Sequence, residues 1–121
     1  MEETLVIGAG PAGLLAAWVA RQRGARVRVL GAGIGSTHIM PGWLAVASTS
    51  EPLEVAVSRL AEQAGHPYSI AGWDNVRAGV AALREVCHGS GLNYVGALDR
   101  NYRLPTALGA IAEAALVPES F

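Results

Sequence analysis

Thr4-Leu5-Val6-Ile7-Gly8-Ala9-Gly10-Pro11-Ala12-Gly13 begins as a short apolar run and passes without a spacer into a glycine turn. The run lacks polar alternation, as a strand buried in a parallel sheet does. Each glycine then has a distinct physical task. Gly8 permits the tight strand-to-helix turn. Gly10 carries no Cβ, so backbone can approach a pyrophosphate closely. Gly13 lets the following helix pack near the strand. A pyrophosphate would rest on the free N–H groups at the positive end of that helix.

Working outward, Leu14, Leu15, Ala17, Trp18 and Ala20 continue a helical pattern that closes on Arg21, Gln22 and Arg23. Cationic residues there suit the negative end of the helix dipole, and Gly24 stands where a left-handed cap is expected. Val27 to Leu30 reads as a second strand. The first thirty residues are therefore a β-α-β unit. The fold class is α/β, a Rossmann-type FAD/NAD(P)-binding three-layer fold, truncated, with the start of a second region. One departure stands out: units of this kind usually end strand two with Asp or Glu for the adenosine ribose, and here Gly31 follows Leu30, with Glu51 the next acid.

Residues 31–50 read as glycine-rich loop with a candidate strand over Trp43–Ala47. A helix is expected after Ser50, with Pro52 in its first turn, ending at Gly65. A second opens with Asp74 as N-cap and closes at Gly89. Leu92–Ala97 reads as a strand. Residues 104–117 are ambiguous: their alanines favour helix, while Pro105, Gly109 and Pro118 oppose it. No repeat or interdomain linker is evident, so residues 1–121 read as one incomplete dinucleotide-binding domain.

Composition narrows the functional classes. Nine basic and ten acidic residues leave a net charge of -1. All the basic residues are arginine, so no lysine is available for a Schiff base or a P-loop. Without a basic tract, nucleic-acid binding has no support. The single Cys87 excludes an internal disulfide and a multi-cysteine metal cluster and fits a cytoplasmic setting. Val29–Ser50 is free of Asp, Glu and Arg, but its glycines and Pro41 suit a loop better than a lipid-facing helix.

Ala9, Pro11 and Ala12 within the glycine frame resemble the flavoprotein form of this turn. Gly31–Gly42 resembles the segment that wraps the flavin phosphate and ring in two-domain flavoproteins. FAD is therefore the leading ligand, with FMN the alternative. The cofactor-binding residues expected on this basis are Gly8, Gly10, Pro11, Ala12, Gly13, Gly31, Ser36, Thr37 and His38. Further along, Ser36-Thr37-His38 with Pro41-Gly42-Trp43-Leu44, Gly65-His66-Pro67-Tyr68-Ser69 and Leu104-Pro105-Thr106-Ala107-Leu108-Gly109 resemble the N-terminal part of one family of flavoproteins, the B subunits of anaerobic glycerol-3-phosphate dehydrogenases. The resemblance implies a flavoprotein subunit that oxidises glycerol 3-phosphate to dihydroxyacetone phosphate by hydride transfer from C2, or that relays its electrons. It also implies other subunits of a respiratory dehydrogenase complex as partners, the quinone pool as indirect acceptor, and peripheral attachment at the inner face of the cell membrane through a partner. Members of that family are longer, which leaves a shortened reading frame, a split subunit or a cut chain open. An incomplete sheet predicts self-association or a complementing chain.

No catalytic residue or metal site emerges. His38 is positioned for a flavin contact but reads more simply as a loop histidine, and His66 as a turn residue. Cys87 and His88 are sequence neighbours on different helix faces. Arg100 and Arg103 bracket Tyr102 and suit either a substrate phosphate or a solvated strand end. An oxidoreductase of another substrate and a non-catalytic dinucleotide-binding structural fragment remain the alternatives.

Overall fold

A computed structural model describes residues 3–121, apart from the side chain of Thr37. The chain divides into two compact units, Met1–Pro41 and Gly42–Phe121.

In the first unit, β1 (Glu3–Ile7) leads into α1 (Pro11–Gln22) and returns through β2 (Arg26–Leu30). The strands pair in parallel, Val6 opposite Val29 and Ile7 opposite Leu30. Helix α1 ends as expected. The Ala25 N–H donates to the Ala20 carbonyl and the Gly24 N–H to that of Arg21, with Gly24 at φ +86°. That pattern satisfies two carbonyls that would otherwise lack partners. Among the described residues of this unit, the α/β fold is present as one helix layer against one strand pair. Strand alternation turns Val6 toward Gly13 and leaves Leu5 and Ile7 exposed, Ile7 at 82%.

The second unit holds α2 (Leu53–Ala61), α3 (Pro67–Gly89), β3 (Tyr94–Gly96), β4 (Tyr102–Pro105), β5 (Ile111–Ala114) and β6 (Leu116–Pro118). Antiparallel pairs form between β3 and β6 and between β4 and β5. Leu53, Ala115 and Leu116 form the core, with Leu44, Trp73, Val80 and Tyr94 packed around them.

Several expectations are corrected here. Trp43–Ala47 is not a strand; only Leu44 bridges, to Leu116. Helix α2 ends at Ala61, short of Gly65. Element α3 begins at Pro67 and joins two helices across the non-helical Gly72 (φ 70°, ψ 163°); the second opens close to the expected place, with Asp74 in its first turn rather than at its N-cap. The cap at the start of α3 belongs to His66, whose Nδ1 accepts the Tyr68 N–H at 3.1 Å. The far end lies at Gly89 as expected, and Gly91 (φ +80°) follows it: the Gly91 N–H reaches the His88 carbonyl and that of Leu92 the Cys87 carbonyl. The ambiguity over residues 104–117 resolves to strand and turn: β4 ends at Pro105, and β5 and β6 follow the turn. The Thr106 hydroxyl accepts the Ala110 N–H, Gly109 takes φ +79°, and the hairpin so formed buries Ala114 and Ala115 completely. Pairing of β5 with β4 and burial of Ala114 against Leu104, with Ala115 bonded to Leu44, overrides alanine's local helix preference.

Candidate dinucleotide site

The turn after β1 has the geometry its glycines suggested. Gly8 adopts φ +109°, a left-handed conformation that favours glycine, and its N–H donates to the Leu30 carbonyl at 2.7 Å. This bond ties the turn to the end of β2. A Cβ on Gly13 would overlap the Gly8 carbonyl oxygen and approach Val6 Cγ1 to 3.3 Å, so helix and turn lie too close for any side chain there. A Cβ on Gly31 would lie 2.8 Å from that of Ala9. Gly31 thus holds the chain leaving β2 against the glycine turn.

Gly10 differs from these two. It caps α1 in an extended conformation (φ -78°, ψ 175°), and a Cβ there would meet nothing within 4 Å. Its role is therefore not packing; the space beside it is open. The helix start that it caps has no side-chain hydrogen bond and no acidic residue in its first turn. Pro11 occupies the first helical position, and the first N–H with an intrahelical partner is that of Leu14, which donates to the Gly10 carbonyl at 2.9 Å. The Ala12 and Gly13 N–H groups are left for an anion, reinforced by the helix dipole. This donor set fits a dinucleotide pyrophosphate.

Ser36 and His38 lie on a single 3-10 turn, Ser36–Ile39, and are exposed; the His38 N–H donates to Gly35. The expectation for Thr37 concerns a side chain outside the described residues. Glycines 8, 10, 13 and 31 are therefore brought together by hydrogen bonding and close packing, while Ser36 and His38 make no side-chain hydrogen bond to the turn among the described residues.

The family model of the FAD binding domain matches residues 3–120. The chain belongs to this family. FAD is its cofactor. A curated relative, the B subunit of anaerobic glycerol-3-phosphate dehydrogenase from Mannheimia succiniciproducens, is 28% identical over 98% of this chain. The chain spans 29% of that relative's length. No solved structure matches.

Outside the turn, side chains singled out in the sequence have structural partners. His88 Nδ1 lies 2.8 Å from Asn93 Oδ1, and Asn93 Nδ2 donates to Glu119. Burial pushes the Cys87 thiol pKa up, which disfavours a nucleophilic thiolate. Sequence reasoning missed three long-range donors that fasten the loop after Gly42. The Tyr94 hydroxyl donates to the Gly42 carbonyl and that of Tyr68 to Val46, both at 2.6 Å. Asn101 Nδ2 donates to Ala47 and Thr49. These pairs are separated by 22 to 54 positions, and no local signal marks them. No group suited to a metal ion is found among the described residues, and no helix there is long and apolar enough to cross a membrane.

Proposed function

We propose that this chain is the nucleotide-binding portion of a flavin-dependent dehydrogenase acting on glycerol 3-phosphate, either oxidising it to dihydroxyacetone phosphate or relaying its electrons. The single observation behind the flavin half of this reading is the uncapped α1 terminus beside Gly10, free of acidic side chains. The substrate half is supported by the relative from Mannheimia and by the segments around His66 and Leu104. When bound, FAD would supply the two-electron redox chemistry. The chain's own residues bind and orient: the Ala12 and Gly13 N–H groups hold the pyrophosphate, Gly8 and Gly13 keep the helix end against the strand, and Gly31 packs on Ala9. Nothing acidic follows β2, so backbone groups or water would serve the adenosine ribose. Other subunits of a respiratory complex, with the quinone pool as indirect acceptor, complete the proposal. On this reading the protein lies at the cytoplasmic face of the membrane, held there by a partner.

The test is FAD uptake by the purified chain, followed by flavin absorbance. Gly10→Glu places a carboxylate at the pyrophosphate position, where an added Cβ meets nothing within 4 Å, so it should fold normally and take up no FAD. Uptake equal to the unaltered chain would overturn the site. Reduction of bound FAD by glycerol 3-phosphate under anaerobic conditions then separates direct oxidation from relay.

A further inference from the structure

The end of β2 is fixed beside the glycine turn. Ile7 pairs with Leu30, and the Gly8 N–H donates to the Leu30 carbonyl at 2.7 Å. Gly31 is the first residue beyond that pair. In parallel α/β units the ligand lies at this edge of the sheet, and an Asp or Glu about 20 residues beyond the turn accepts the ribose 2′-hydroxyl. Such a carboxylate has two effects: it holds the free hydroxyl, and its charge rejects a phosphate in the same place. We propose that, in the dinucleotide site of the proposed function on which this rests, Gly31 leaves the ribose 2′ position unread, so that adenine dinucleotides bearing a 2′-phosphate are accepted as readily as those with a free hydroxyl.

Packing keeps the carboxylate out. Gly31 does not adopt a positive φ, so its backbone would accept a side chain. The obstacle is a single atom. A Cβ at position 31 would lie 2.8 Å from the Ala9 Cβ, well inside contact distance, whereas the Ala9 N and Cα, at 3.8 and 3.9 Å, are at ordinary separations. The first side-chain atom of an Asp or Glu therefore has no room while Ala9 keeps its methyl group. Past that point the loop is open: Ala32, Gly33 and Ile34 are exposed, and a Cβ on Gly33 would meet nothing within 4 Å.

The charges of the first unit act in the same direction. No Asp or Glu occurs between Glu3 and Glu51. Glu3 stands opposite Arg26 in the register, at the end of the strand pair away from the glycine turn. The charged residues of β2 are Arg26 and Arg28, both exposed. Arg28 shares a strand face with Leu30, close enough to the strand end for its charge to be felt there within a Debye length. A guanidinium on this strand favours an added phosphate, and no carboxylate of the turn or of the loop after β2 opposes it.

The test is calorimetric titration of the 121-residue chain with ADP-ribose and with 2′-phospho-ADP-ribose, which differ only at the position in question. The phosphorylated probe should bind within about threefold of the other, or more tightly; any weaker binding overturns the proposal. Ala9→Gly combined with Gly31→Glu removes the obstructing methyl group and installs the carboxylate. That chain should become selective, holding the 2′-phosphate probe about tenfold or more below ADP-ribose. Ala32→Glu adds the same charge at the exposed neighbouring position and should move the preference the same way, which keeps the test open if the double variant does not fold. Continued indifference with a carboxylate in place overturns the role of Gly31. FAD uptake without binding of either probe, or with rejection of the 2′-phosphate, overturns this proposal alone. Failure of FAD and both probes to bind overturns the dinucleotide site itself.

Discussion

The two units bury their apolar residues very differently. The second closes around Leu53, Val57, Ala115 and Leu116, all at 0% exposure. In the first, the buried apolar residues among those described are Ala17 and Ala25, while Leu5, Ile7, Leu14, Leu30, Ile34, Ile39 and Met40 are more than half exposed. The unit that carries the candidate nucleotide site thus relies on backbone geometry, whereas the other relies on side-chain packing. A glycine turn needs few side chains to be specified. A core needs many, drawn from distant parts of the chain.

The largest effect that separates the units is a core truncation. Leu116→Ala should cost roughly 2–5 kcal/mol, the range for deleting a fully buried leucine side chain, measured by denaturant unfolding. Ile7→Ala, at an 82% exposed position, should stay within about 0.5 kcal/mol. Comparable losses from the two would mean that the β1–β2 face is covered in solution, and the contrast between the units would collapse.

Next in size is the glycine contact that defines the first unit. Gly13→Ala forces a methyl group onto the Gly8 carbonyl and should destabilise that unit by roughly 1–3 kcal/mol. Gly10→Ala meets no atom within 4 Å and should leave stability almost unchanged. Melting followed by Trp18 fluorescence, in variants lacking Trp43 and Trp73, would report on the first unit. A neutral Gly13 variant would show that turn and helix can separate cheaply.

This division also explains what could be read from sequence. The β-α-β unit was legible because its determinants are local: Gly8 through Gly13 set the turn, Pro11 starts the helix and Gly24 ends it. The second unit was legible only in part. Helix α2 followed from apolar spacing, but the start of α3 depends on a His66 ring accepting the Tyr68 N–H, and its break on a positive φ at Gly72. The alanines of 110–115 prefer helix in isolation, but Ala112 and Ala114 become strand because β4 supplies their pairing partners, and Ala115 bonds to Leu44. Within the site, the glycines were recognisable from spacing, whereas the missing acid after β2 could be noticed but not replaced. The donors Tyr68, Tyr94 and Asn101 have no short-range signature.

Those donors give a smaller, more selective perturbation. Tyr94→Phe removes the hydroxyl that serves the Gly42 carbonyl and should cost about 1 kcal/mol by the usual worth of such a bond. Denaturant unfolding of the second unit measures it. A variant as stable as the parent would mean that water takes over the carbonyl and that the strap on the 42–50 loop is dispensable.

Alkaline pH offers the finest distinction, because all three tyrosines and Cys87 lie beyond Gly42. Burial raises the pKa of Tyr68 above the ordinary tyrosine value of 10.0, and burial together with the Cys87 charge raises that of Tyr94. Cys87 is likewise raised by burial, from 9.0. In each case the folded chain holds a proton that the unfolded chain has begun to release. The resulting stability is present in full below the unfolded pKa and is lost as pH rises through the folded one. Unfolding midpoints of the second unit should therefore hold steady near neutral pH and fall from about pH 9 upward, first through Cys87 and then through the tyrosines. Cys87→Ser should delay the onset, and Tyr94→Phe should flatten the upper part of the decline. A midpoint that rises across this range would reverse the sign of the linkage and show that these groups ionise more easily in the folded chain.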